Sequence, residues 1–169
     1  MNENIIFRNI EKTDTEALWN MMNKLDYETK FMLYEPGERI KNLARLQDTV
    51  DNAVDGNDLC FLAMDENEIV GYIAAQVGTL RKIKHGAYIV VGIREKYRNR
   101  GIGTEFFKKL NEWAEEKNIV RLELTVICNN EVALNLYKKN GFEIEGIKRK
   151  SIYIDGEYVD EYYMSKIRG

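Results

Sequence analysis

Apolar positions recur along the chain with two periods, and the changes of period mark the elements. Ile5-Ile6-Phe7-Arg8 reads as a first strand. From Thr15 to about Asn23, Ala17, Leu18, Met21 and Met22 share one helical face, with Thr13 or Asp14 as cap. Glu35-Pro36-Gly37 is a turn signal, and a second helix is expected from Gly37 to about Val54. Leu59 to Met64 and Ile69 to Val77 read as strands on either side of a hairpin turn at Asp65-Glu66-Asn67-Glu68. Ala87 to Ile93 is short, apolar and rich in branched residues, which predicts a central strand. Thr104 to Lys117 predicts a helix, because Phe106, Phe107, Leu110, Trp113 and Ala114 fall on one face. Arg121 to Ile127 is a strand. Glu131 to Lys139 is a helix opened by Asn129 or Asn130 and closed by Asn140-Gly141. Ser151 to Ile154 and Glu157 to Met164 are strands joined by Asp155-Gly156. The order β-α-α-β-β-β-α-β-α-β-β predicts a mixed sheet with flanking helices, in the α/β or α+β range.

Composition narrows this picture. With 169 residues, 44% hydrophobic and 31% charged, the chain suits one globular domain, 1–169, with no linker or repeat. The apolar run Ala87 to Ile93 is far short of the ~20 residues of a membrane helix. Met1-Asn2-Glu3-Asn4 carries no signal-like apolar block, so no membrane association is expected. Cys60 and Cys128 lie apart and His85 is the only histidine, so neither a metal site nor a disulfide framework is expected, and a reducing cytoplasm is.

The net charge of -3 argues against a nucleic-acid partner. The sign is not uniform, however. Arg94, Lys96, Arg98 and Arg100 against Glu95 give a local excess of +3. The same stretch runs on as Arg98-Asn99-Arg100-Gly101-Ile102-Gly103-Thr104 into a helix. Glycines let a backbone approach a ligand closely, helix-terminal amides point outward, and arginines add forked donors, so the segment suits a pyrophosphate. A tight strand-to-helix turn with solvated arginines is the alternative. A dinucleotide fingerprint is incomplete, since Phe106 stands where its third glycine would be, and no phosphate-binding G-x-x-x-x-G-K-[ST] occurs.

A second motif, Asn130-Glu131-Val132-Ala133-Leu134-Asn135-Leu136-Tyr137-Lys138-Lys139-Asn140-Gly141-Phe142, reads N-x-x-A-x-x-L-Y-x-x-x-G-F. Together with the R-x-x-G-x-G of Arg98 to Gly103, it resembles the GNAT superfamily of N-acetyltransferases. The element order is similar to that family's fold over nearly the whole chain. Asn99 stands where glycine is common in the family, and asparagine tolerates left-handed geometry.

The resemblance implies acetyl-CoA as cosubstrate. Ala87 to Ile93 and Arg121 to Ile127 would then splay to admit the pantetheine arm, with main-chain contacts from Val91 and Ile93 and a bulge at Gly92; a simple core edge is the alternative for Gly92. Arg98, Asn99, Arg100, Gly101, Ile102, Gly103 and Thr104 would hold the pyrophosphate. Asn130 would hydrogen-bond the cofactor arm, cap its helix, or both. Tyr137 would be the general acid to the departing thiolate, a phenol near ~10 being close in pKa to a thiol near ~8.5; as an ordinary helical aromatic it would pack with Val132, Ala133 and Leu136. A strand amide near Val91 would stabilise the oxyanion. Relatives with a strand glutamate as base carry it where this chain has Thr125, which leaves Glu123, two residues earlier on the same face, as a base acting through water. Glu35 and His85 are further candidates.

The acceptor is expected to be an amine, on a small molecule or on a peptide or protein. The loop Phe31 to Tyr34 would wall its side or pack as core, and Asp155, Glu157, Asp160 and Glu161 form either an acidic rim for a cationic amine or a solvated hairpin face. A homodimer through the terminal hairpin and a covered edge are both open. A non-catalytic CoA-binding sensor on the same fold is the competing functional reading.

Overall fold

The structure is a computed structural model that describes residues 4–169; Met1 to Glu3, on which the N-terminal reading rests, lie outside the described residues. The strands are β1 (Ile5–Asn9), β2 (Leu59–Asp65), β3 (Glu68–Val77), β4 (Gly86–Ile93), β5 (Arg121–Ile127), β6 (Glu143–Ile154) and β7 (Glu157–Ile167). The helices are α1 (Thr15–Glu28), α2 (Leu43–Val54), α3 (Ile102–Glu116) and α4 (Glu131–Lys139). The sheet has seven strands in the order β1-β2-β3-β4-β5-β7-β6. β4 and β5 run parallel, while β1-β2, β2-β3, β5-β7 and β6-β7 pair antiparallel. This is the mixed, mostly antiparallel sheet with flanking helices that the pattern predicts.

The chain divides into two compact units. The first holds the chain up to Gln76 together with Val90–Trp113. Its core joins Leu18, Met21 and Leu25 of α1 and Val50 of α2 to Leu62, Met64, Ile69 and Tyr72 of the sheet. Phe7, Phe61 and Phe106 form a separate aromatic group with ring centroids 6.0–6.2 Å apart. Helix α1 runs to Glu28, five residues past the expected end at Asn23. The stripe Leu18-Met21 continues through Leu25, and the buried Asp26 that looks like a polar stop is held by Arg39 at 2.7 and 3.0 Å.

Helix α2 starts at Leu43 rather than Gly37. Gly37 has φ 82, outside helical geometry, and Asn42 is the cap, its side chain accepting from the Arg45 amide at 3.1 Å. Asp14 precedes α1 but makes no side-chain cap bond to it; its carboxylate instead accepts from Arg8 at 2.7 and 2.9 Å and from the Glu11 amide at 2.7 Å. Gly92 sits where a Cβ would come within 2.7 Å of Leu25 and 2.8 Å of Tyr72, so close packing accounts for the glycine. In the loop after α1, Met32 packs on the core while Leu33 is exposed.

The second unit holds Val77–Ile89 and Ala114–Gly169. Leu122, Leu124, Val126, Phe142 and Met164 are buried in it. β6 covers Glu143–Ile154, eight residues more at its start than expected, because an edge strand with two wet faces shows no apolar alternation. Its register shifts between Ile144 and Gly146, and again between Lys148 and Ile152. The first shift leaves Glu145 as an extra residue, and the second is bridged by the Lys150 amide donating to Asp160 at 2.7 Å. The Asp155-Gly156 turn has φ 51 and 82, as a two-residue hairpin requires.

Candidate active site

In the first unit, the segment after β4 enters α3 through a turn built from two left-handed residues. Asn99 has φ 59 and Gly101 has φ 81. Gly103 lies inside α3, which starts at Ile102 rather than Thr104, so only one of the two glycines supplies positive φ. The first helical bond runs from the Glu105 amide to the Gly101 carbonyl at 3.2 Å. The amides of Ile102, Gly103 and Thr104 belong to the first turn, where a helix offers donors and the positive end of its dipole. A Cβ on Gly101 would meet nothing within 4 Å, so there is room beside the turn.

The basic excess is smaller than the sequence suggests. Arg94 donates to Glu28 at 2.6 Å and to Glu68 at 2.8 Å, and Glu28 also accepts from the Glu95 amide at 2.9 Å. Arg94 is therefore a structural cation that anchors the end of β4. Arg100 and Lys96 lie over the ring of buried Tyr97 at 5.2 and 5.0 Å, and Tyr97 donates to Asp65 at 2.5 Å. Arg98 donates to the Ile93 carbonyl at 3.3 Å, which ties the loop to its strand. Val91 and Ile93, half-buried near the end of β4, complete the residues predicted on this side.

In the second unit, Asn130 caps α4, its side-chain oxygen accepting from the Ala133 amide at 3.3 Å. Tyr137 is half-buried on α4, with its ring 6.1 Å from that of Phe142. Burial pushes the phenol up to about 12, and Tyr88 adds a smaller electrostatic push. The group is therefore a neutral O–H at physiological pH.

A depression of about 240 Å³ opens over β4, β5 and β7, with Tyr88, Glu123, Thr125 and Tyr163 among its walls. The Tyr88 hydroxyl lies 2.9 Å from Thr125 Oγ1. Glu123 accepts from Arg121 at 2.5 Å, and Arg121 also donates to Glu145 at 3.1 and 2.5 Å. These bonds hold the Arg121 guanidinium above its ordinary pKa, and they hold Glu145 below the usual carboxylate value. The extra residue in β6 is what brings Glu145 to Arg121. Glu123 thus lines the depression with a cation attached.

Tyr88 is the residue that sequence reasoning missed. Its signal was available, since it alternates with the buried Ala87 and Ile89 on a strand read only as apolar. Glu35 and His85 are exposed loop residues, with Glu35 in the first unit and His85 in the second. No cluster of metal-ligating side chains occurs among the described residues. No helix among them is long and apolar enough to cross a membrane.

Comparison with known proteins gives a consistent result. The signature of the Acetyltransferase (GNAT) family matches residues 19–142. An L-amino acid N-acetyltransferase of Escherichia coli (strain K12) is 32% identical over 108 residues, taking in 63% of this chain and 67% of that protein. An acetyltransferase of the GNAT family from Streptococcus pneumoniae superimposes with a TM-score of 0.92 at 27% identity, covering 98% of this chain and 100% of the other. A phosphinothricin acetyltransferase from Sinorhizobium meliloti, solved in complex with acetyl-CoA, shares the fold at TM-score 0.83 and 16% identity, covering 98% and 89% of the two chains. The chain belongs to the acetyltransferase (GNAT) family.

Proposed function

We propose that residues 1–169 act as a single N-acetyltransferase domain that acetylates a primary amine by direct attack on the thioester, through a tetrahedral intermediate. The observation that carries this reading is the turn at Asn99 and Gly101, which delivers the chain into the first amides of α3 with open space beside Gly101. A diphosphate fits donors of that kind. Arg98, Asn99, Arg100, Gly101, Ile102, Gly103 and Thr104 hold it. Main-chain groups of Val91 and Ile93 pair with the pantetheine amides, and the Val91 amide faces the developing oxyanion. Asn130 caps α4 through its oxygen and donates its amide hydrogens to the cofactor arm.

Acetyl-CoA supplies an activated acyl group. The chain supplies proton control around it. Tyr137 is the general acid, giving its proton to the CoA sulfur as the thiolate leaves. Glu123 takes the amine proton through a water in the depression, where the Tyr88–Thr125 pair orients that water. Arg121 holds the Glu123 carboxylate in place beside the depression. The acceptor is an amine on a small molecule or a peptide, and neither nucleic acid nor membrane is a partner. The reaction belongs in the reducing cytoplasm, in keeping with the free Cys60 and Cys128. β6, an edge strand, offers a homodimer a place to pair.

One observation favours a second reading, a CoA-binding sensor: Thr125 stands where a direct carboxylate base would, and its hydroxyl is engaged by Tyr88. Thiol release from acetyl-CoA across a panel of primary amines separates the two. Amine-dependent release supports the transferase; tight CoA binding with no release for any amine favours the sensor.

A further inference from the structure

Tyr97 is buried in the middle of the basic segment. It ends the single helical turn Glu95–Tyr97, two residues before the left-handed Asn99. Its ring carries the Lys96 ammonium at 5.0 Å and the Arg100 guanidinium at 5.2 Å from the centroid. Its hydroxyl donates to Asp65 at 2.5 Å. Two cations of the segment thus share one aromatic ring.

The ring is fixed from both ends. Asp65 is the last residue of β2 and pairs with Ile5 of β1 and Glu68 of β3, so three strands hold the acceptor of the hydroxyl. At the backbone end, the Tyr97 amide donates to the Arg94 carbonyl at 2.9 Å, and Arg94 is itself fastened to Glu28 and Glu68. The face of an aromatic ring attracts a cation. Donation of the hydroxyl to a carboxylate polarises the phenol toward the ring and strengthens that attraction.

Packing alone does not require this arrangement. A phenylalanine would fill nearly the same volume with no hydroxyl to satisfy, and two like charges held at one ring repel each other. An anion bound beside them relieves the repulsion. The turn at Asn99 and Gly101 directly follows.

We propose that Tyr97 is a positioning residue that holds Lys96 and Arg100 together against the phosphates of the cofactor, so that Lys96 joins the binding residues. This rests on the phosphate-binding turn proposed above. Asp65 fixes the ring, the ring fixes the two cations, and the cations meet the phosphates.

The test is equilibrium binding of CoA and of pantetheine, followed by calorimetry, so it does not depend on turnover. Wild-type protein should bind CoA at least tenfold tighter than pantetheine. Tyr97→Leu should cost CoA tenfold or more and pantetheine less than twofold. Tyr97→Phe keeps the ring and should stay within threefold of wild type for CoA. In a Lys96→Met/Arg100→Met background, Tyr97→Leu should cost CoA less than a further twofold, because the ring then has no cation to hold. A ring that only supports the turn would cost as much in that background as in the wild type. Lys96→Met alone, at an exposed position, should cost CoA about threefold and pantetheine nothing, and it serves if Tyr97→Leu fails to fold. CoA affinity kept in Tyr97→Leu or Lys96→Met, an equal loss for both ligands, no rescue by Tyr97→Phe, or an undiminished loss in the double background overturns the proposal. Wild-type protein that binds CoA no tighter than pantetheine overturns the phosphate-binding turn instead.

Discussion

The hydroxyls of Tyr88 and Thr125 meet at 2.9 Å across the parallel pair of strands β4 and β5. The contact lies on the exposed side of the sheet, in the wall of the depression that also holds Glu123. In the proposed mechanism this pair orients the water through which Glu123 acts.

A water-orienting role predicts a modest catalytic effect and almost no effect on stability. Tyr88→Phe should lower kcat/KM for the acceptor about tenfold, the value of one hydrogen bond, and leave the KM for acetyl-CoA unchanged. Steady-state kinetics with both substrates varied checks this.

Tyr137→Phe removes the donor to sulfur without changing the shape of α4. Turnover should fall about a hundredfold, while CoA affinity stays within twofold. Because the phenol is pushed up to about 12, the alkaline limb of the wild-type pH–rate profile should show no loss from this group below pH 10. A tyrosine-dependent loss near pH 8 would contradict its assignment as a neutral donor.

Gly92→Ala tests the packing of β4 on α1. The added methyl would press on Leu25 and Tyr72, both buried, so a loss of about 1–3 kcal/mol is expected. Urea unfolding measures it.

Arg8 holds the Asp14 carboxylate below its ordinary value, chiefly through their hydrogen bonds. The pair therefore contributes fully above the unfolded aspartate value near ~3.9, and its contribution is lost as pH falls through the depressed native value. Asp14→Asn should cost about 1 kcal/mol at pH 7 and flatten the decline of stability in acid. Unfolding curves from pH 7 down to pH 2 decide it.

How much of this was legible depended on what each residue answers to. Apolar runs rich in branched residues and helices with one apolar stripe showed themselves, so β1 to β5, α1, α3 and α4 appeared near their true places. The first eight residues of β6 did not, because both faces of that edge strand are exposed and two register shifts break its period. Gly37 looked like a helix start, although Asn42 is the residue whose side chain reaches a free amide. In the site, Asn99 and Gly101 were readable because left-handed backbone restricts residue type. The pairing of Arg94 with Glu28 and Glu68 was not, since those partners lie far away in sequence. Tyr88 was legible from its alternation with Ala87 and Ile89, but the run was read only as apolar.

The central claim is that the turn from Arg98 to Thr104 binds the diphosphate of acetyl-CoA through its main chain. Amide proton–nitrogen spectra recorded during titration with acetyl-CoA, and separately with pantetheine, address it directly. Acetyl-CoA should move the Gly101, Ile102, Gly103 and Thr104 amides downfield and slow their exchange, whereas pantetheine should leave them in place. Saturation with acetyl-CoA while those four amides stay where they were would contradict the account.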